Sequence, residues 1–223
     1  MITHALIFAA GRGERMRPLT DVTPKPLLRV GAKHLVEWHL EKLAARGVRE
    51  VVINTSHLAE QFPATLGDGA RWGLRIAYSY EGTEPLETGG GMLRALPLLG
   101  AKPFLAVNGD VWTDLDFSTL PHDPAGLAHL VVTDNPLHHP HGDFVLRGGH
   151  LFDEAAPRLT FAGIGVYRPE LLQGHAPGKF SIVPLLRAAM RAGMVTGVQH
   201  HGRWSDIGTP QRLAELDAGL RNS

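Results

Sequence analysis

The sequence predicts an α/β fold: a mainly parallel sheet flanked by helices. Short apolar runs, Ala5–Ala9, Val48–Asn54 and Phe104–Val107, read as buried strands. Between them stands helical apolar spacing, clearest in Leu35–Arg46 with Val36, Leu40, Leu43 and Ala44. Strands alternating with helices imply right-handed crossovers and a parallel sheet. With 223 residues the chain can form one large or two small α/β domains around a substantial core.

Taken in order, the first strand runs into Gly11-Arg12-Gly13. Pro18, Pro24 and Pro26 then prevent a long helix. Leu35–Arg46 is the first long helix, stopped by Gly47, and Val48–Asn54 is the second strand. Leu58–Leu66 predicts a short helix interrupted or kinked by Pro63, and Leu74–Tyr80 a third strand. Gly91–Leu99 predicts a helix entered through glycines, before the Phe104–Val107 strand and its Asn108-Gly109-Asp110 ending. Further strands are expected at Leu127–Thr133 and at Leu159–Tyr167, the latter broken by Gly163 and Gly165. Asp143–Leu146 and His150–Phe152 flank Gly148-Gly149 as a hairpin. Ser181–Arg191 predicts a helix capped by Ser181, and Thr209-Pro210 opens the last one.

Composition narrows the function classes. Lys+Arg and Asp+Glu are 22 each, so the formal net charge is zero and neither a nucleic acid nor a membrane is expected as partner. The absence of cysteine excludes disulfides, thiolate catalysis and thiolate-bound metals. No apolar run approaches the ~20 residues of a membrane span. No basic segment followed by a long apolar one opens the chain, so a cytoplasmic location is expected. Without repeats, long linkers or low-complexity tracts, residues 1–223 are expected to form one domain.

The informative stretch is Ala9-Ala10-Gly11-Arg12-Gly13-Glu14-Arg15-Met16-Arg17-Pro18-Leu19-Thr20, continued by Thr23-Pro24-Lys25-Pro26-Leu27. Glycines after a buried strand let backbone N–H groups form a nest for anions, and Arg12, Arg15, Arg17 and Lys25 add positive charge. Met16 stands where a dinucleotide fingerprint needs its third glycine, and no Gly-Lys-Ser/Thr P-loop is present. Asp110 follows a strand at the same sheet edge, where ligands of open parallel sheets bind. Beside a polyphosphate that carboxylate needs a cation, and Mg²⁺ takes oxygen ligands. His138, His139, His141, His200 and His201 show no zinc-site spacing and read as surface histidines.

The long stretch, with Pro24-Lys25-Pro26-Leu27, resembles the signature of sugar-1-phosphate nucleotidyltransferases. These move a nucleoside monophosphate from an NTP to a sugar 1-phosphate and release pyrophosphate. The resemblance runs from Ala9 to Pro210. It implies a Rossmann-like nucleotidyltransferase fold with a nucleotide half to about residue 115 and a sugar half, containing the hairpin, after it. Trp204-Ser205-Asp206-Ile207-Gly208-Thr209-Pro210 resembles the family segment whose aspartate is the second Mg²⁺ ligand, so Asp110 and Asp206 are the implied metal pair. Arg15 and Lys25 are the implied phosphate cations, and Ala9, Ala10, Gly11, Gly13, Glu81, Thr88 and Gly89 the implied nucleotide contacts. Pro85-Leu86-Glu87-Thr88-Gly89 carries Glu87 and Gly89 where the family usually has glycine and alanine. Glu87, Asn108, Gly163 and Lys179 are expected on the sugar side, with Lys179, before the Ser181 helix, reaching the sugar phosphate. Among short relatives the chain is most similar to N-acetylmuramate-1-phosphate uridylyltransferases of peptidoglycan recycling. Mannose-1-phosphate guanylyltransferases share most motifs, and a non-catalytic nucleotide-sensing paralogue is the alternative of another class. The chain ends soon after its last expected helix, so the β-helix or acetyltransferase extension of longer relatives is not expected. A monomer or small homo-oligomer is expected.

Overall fold

The computed structural model describes residues 1–155 and 157–221. In chain order its strands are β1 His4–Phe8, β2 Arg29–Val30, β3 Lys33–His34, β4 Glu50–Thr55, β5 Arg75–Tyr80, β6 Phe104–Asn108 and β7 Val111–Thr113. They continue as β8 Ala128–Thr133, β9 Val145–Arg147, β10 His150–Phe152, β11 Thr160–Tyr167, β12 Val195–His200 and β13 Trp204–Asp206. The α-helices are α1 Leu19–Val22, α2 Leu35–Arg46, α3 Gln61–Leu66, α4 Glu87–Leu99, α5 Val183–Arg191 and α6 Pro210–Arg221.

One sheet of nine strands, in the order β5-β4-β1-β6-β11-β8-β12-β10-β9, runs through the molecule. The first four strands of that order are all parallel, as the alternating pattern predicts. Beyond β6 only the β8–β12 pair is parallel, so the sheet as a whole is mixed. Helical crossovers impose parallel pairing, and the chain after Asp110 enters the sheet mostly by returns without them. Alternation along β1 puts Ala5 and Ile7 in the core under α2 and α3, and Leu6 in the core under α4 and α5.

Several boundaries move for local reasons. Pro63 lies in the first turn of α3, where its missing N–H has no helical partner to lose, so it does not interrupt the helix. α4 begins at Glu87, taking all three glycines into the helix. α5 begins at Val183, whose N–H donates to Ser181 Oγ at 3.2 Å. Thr209 Oγ1 accepts from Arg212 N–H at 3.3 Å at the head of α6. The β7–β13 pair and β12 carry no apolar run of their own, and the sequence pattern misses them. Gly197 of β12 is required by packing, because a Cβ there would stand 2.8 Å from Leu151 Cδ1.

His39 of α2 is buried, and its Nε2 donates to Val111 O at 2.8 Å. Burial pushes its pKa down to about 4. The folded value lies below the unfolded one near 6.5, so this contribution is present above pH ~6.5 and is lost as pH falls toward 4. Between pH 7 and pH 5 the loss should be about 2 kcal/mol. Urea unfolding at the two pH values, compared with His39→Gln, should show a smaller acid loss in the variant.

Candidate active site

Register aligns the strand ends that build the site. Phe8 of β1 stands level with Asn54 of β4 on one side and Asn108 of β6 on the other. A cleft of about 1000 Å³ opens at this edge. Ala9, Ala10, Gly11, Gly13 and Arg15 line it, with Lys25, Glu81, Glu87, Thr88, Asn108, Asp110 and Lys179. These expected positions, distant in sequence, therefore share one cavity.

The glycine loop is held from both sides. Gly13 has φ +63°, and a Cβ there would come 2.9 Å from Thr20 Cγ2. Asn54, which sequence reasoning missed, accepts from Ala9 N–H at 2.6 Å and donates to Glu81 Oε1 at 2.6 Å. Glu81 Oε2 accepts from Leu86 N–H at 2.7 Å. Burial raises the Glu81 carboxyl above its usual range, opposed by the bonds from Leu86 and Asn54. This relay fixes the glycine loop against the 81–86 loop, and Arg12 spans the same gap to Thr83 O at 3.0 Å. Gly91 makes room for the relay, since a Cβ would collide with Glu81 Oε1.

Lys25 is buried, against the ordinary expectation for lysine. Its Nζ donates to Asp110 Oδ2 at 2.6 Å. The Lys25 side chain is 10% exposed and that of Asp110 38%, so the carboxylate keeps an open side toward the cleft. Asp206 is brought alongside by the β7–β13 ladder: it pairs with Val111, and Ile207 N–H donates to Asp110 O at 2.7 Å. The two expected metal aspartates are thus brought together, Asp110 in the turn before β7 and Asp206 at the end of β13. The Asp206 carboxylate does not line the cleft, however. It accepts from Arg212 Nη1 at 2.6 Å and lies 2.8 Å from His138 Nε2. Arg212 was not anticipated; it stands three residues after the cap Thr209, on the first turn of α6. Gly208 makes space for it, because a Cβ there would collide with its guanidinium.

The two aspartates offer hard oxygen donors, which suits Mg²⁺. Among the described residues no three His, Cys, Asp or Glu side chains converge. A bound Mg²⁺ would therefore complete its shell with phosphate oxygens and water, as that ion usually does. Of the histidines expected at the surface, His139 pairs with Asp143 at 3.1 Å, whereas the His200 side chain is only 13% exposed and pairs with Asp114 at 2.7 Å.

A strap before α5 packs on the head of α4. Phe180 O accepts from Gly89 N–H at 2.9 Å and Gly90 N–H at 3.0 Å, and Phe180 N–H donates to Leu86 O at 3.1 Å. Thr88 Oγ1 accepts from Ile182 N–H at 3.1 Å. Gly89 is thus a strap contact and does not line the cleft, because its open side is filled by the Phe180 ring. Gly163 likewise does not line the cleft; with φ +72° it backs the Asn108 side chain, 2.7 Å from where its Cβ would stand. Glu87 has φ +61°, which favours the glycine that the family usually carries there. Gly90→Ala should gain about 1 kcal/mol of helix propensity. Its Cβ would collide with Gly178 O, so thermal denaturation should instead show a lower melting temperature.

The Nucleotidyl transferase family model matches residues 4–133. An N-acetylmuramate alpha-1-phosphate uridylyltransferase of Neisseria meningitidis serogroup B is 48% identical, covering 96% of this chain and 96% of that protein. One of the same description from Caulobacter vibrioides is 34% identical, covering 97% and 96%. A Bacillus anthracis structure, assigned as a glucose-1-phosphate thymidylyltransferase and solved with sucrose, shares the fold. Its TM-score is 0.85 at 20% identity, covering 99% of this chain and 96% of that one. By family model, full-length relatives and fold, this chain belongs to the nucleotidyl transferase family, among the sugar-1-phosphate nucleotidyltransferases.

Proposed function

We propose that the protein transfers UMP from UTP to N-acetylmuramic acid 1-phosphate, forming UDP-N-acetylmuramic acid and pyrophosphate. The observation that carries it is 48% identity, over nearly the full length of both chains, to a uridylyltransferase of that description. The Lys25–Asp110 pair beside the glycine loop supports nucleotidyl transfer.

In this reading a sugar phosphate oxygen attacks the α-phosphorus in line. The new P–O bond forms as the bond to the β-phosphate oxygen breaks, and pyrophosphate leaves. Such transfer needs positioning and charge neutralisation rather than a protein nucleophile. The loop from Ala10 to Gly13 would present N–H groups to the phosphates, Arg15 and Lys25 add positive charge, and the Asn54–Glu81 relay, which takes the Ala9 N–H, holds the loop against the 81–86 loop. Asp110 and Asp206 would hold Mg²⁺, which supplies Lewis-acid neutralisation of phosphate oxygens when bound. Glu81 and Thr88 would face the nucleotide, and Glu87, Asn108 and Lys179 the sugar. A cytoplasmic place in peptidoglycan recycling fits this reaction. Among the described residues no helix is long and apolar enough to cross a membrane.

Pyrophosphate release, measured with UTP, GTP, CTP and dTTP against several sugar 1-phosphates, tests the assignment. The UTP and N-acetylmuramic acid 1-phosphate pair should give the highest kcat/KM. Preference for GTP with mannose 1-phosphate would assign it instead as a guanylyltransferase.

A further inference from the structure

We propose that Lys179 binds the carboxylate of the acidic sugar, and so sets the preference for an acid sugar 1-phosphate over its neutral counterpart. This rests on the uridylyltransferase reading above and deepens it.

N-acetylmuramic acid 1-phosphate carries two anions at separate places: the phosphate on C1 and the lactyl carboxylate on the C3 oxygen. The cleft likewise has cations on two walls. Arg12, Arg15 and Lys25 belong to the glycine loop and its continuation. That stretch packs through Leu27 into the core under α2 and α3. Lys179 lies on the strap, which packs through Phe180 and Ile182 into the core on the other side of the sheet. Of the cleft-lining residues described, Lys179 is the one cation outside the glycine-loop stretch. Glu84 and Glu87 also line the cleft and would repel a carboxylate, so recognition there needs a positive charge.

Lys179 suits that task. Its ammonium has no hydrogen-bond or ion-pair partner among the described residues, whereas Lys25 is engaged by Asp110. Its backbone is preorganised by the strap bonds of the adjacent Phe180 to Leu86, Gly89 and Gly90. The Phe180 ring also stacks on His175, with centroids 5.6 Å apart. Gly89 and Gly90 permit this close seat, because a Cβ at either would collide with the strap. A cation on a fixed backbone loses less freedom on binding than one on a mobile loop.

The test compares kcat/KM for N-acetylmuramic acid 1-phosphate with that for N-acetylglucosamine 1-phosphate, which lacks the lactyl group, both with UTP. Where the neutral sugar turns over too slowly, its inhibition constant replaces its KM. In Lys179→Gln the acid-to-neutral ratio should fall about tenfold or more, the range for a lost hydrogen bond to a charged group. The change should lie mainly in KM for the acid sugar. Lys179→Arg should keep most of the preference. Lys179 is exposed, so the fold should tolerate both changes, with thermal denaturation as the check. An unchanged ratio in Lys179→Gln overturns the proposal. So does an equal loss for both sugars, which would place Lys179 on the phosphate. A wild-type protein without any preference for the acid sugar overturns the uridylyltransferase reading itself, and this proposal with it.

Discussion

Lys25→Ala should slow UMP transfer by about a hundredfold or more, the scale for removing one preorganised donor at a developing charge. The expectation comes from where the lysine sits. Its side chain is 10% exposed and its ammonium is fixed 2.6 Å from Asp110, beside the glycine loop. A buried cation at that distance cannot swing away into solvent, so its charge is already in place when phosphate binds. The loss should appear in kcat more than in KM, because charge builds on the departing pyrophosphate oxygen only as the transition state is reached. Some stability should also be lost, since Asp110 is left without its counter-charge. That loss should be modest, because the carboxylate is 38% exposed and water screens it. Single-turnover transfer separates the two effects, with thermal denaturation as the folding control. Near-wild-type turnover in a folded variant would remove Lys25 from the phosphate site.

Asp110→Asn and Asp206→Asn should each slow turnover by about a hundredfold or more, since metal Lewis-acid action is worth several kcal/mol and each ~1.4 kcal/mol is a decade in rate. The substitution keeps shape and removes charge. The double variant should be little worse than either single one, because two residues acting on one ion are not additive. Asp206 differs from Asp110 in one respect. Its carboxylate is bonded to Arg212 at 2.6 Å and stands clear of the cleft. Holding a metal with Asp110 therefore requires it to release or share Arg212. Asp206→Asn should accordingly shift the Mg²⁺ dependence to higher concentration as well as lowering the rate. Turnover across a Mg²⁺ titration measures both. Full activity of Asp206→Asn at low Mg²⁺, or activity that survives a chelator, would rule out the two-aspartate site.

Much of the site was legible because each of its motifs is short and set by its own neighbours in sequence. The glycine loop, Lys25 between its prolines and Asp110 after its strand are each set by local backbone chemistry, and all line one cleft. What stayed hidden depends on partners far along the chain. Asn54 reads as the end of a β-branched strand; only alignment of β4 with β1 aims its amide at Ala9 and Glu81. Gly89 is expected among the nucleotide contacts, yet the space beside it and Gly90 is taken by Phe180 and Gly178, some ninety residues later. Arg212 looks like an ordinary helix residue until β13 brings Asp206 to it.

By itself the sequence determined the parallel N-terminal strands, the long helices and the glycine loop. Their signals are apolar period, glycine conformation and proline stiffness, all of which act within a few residues. Tertiary structure alone decided the mixed pairing beyond β6, the joining of Asp110 and Asp206 through the β7–β13 ladder, and the seating of Lys179 on the head of α4. Those features rest on hydrogen bonds and close contacts between segments distant in sequence, and no local pattern specifies which distant backbone will supply the partner.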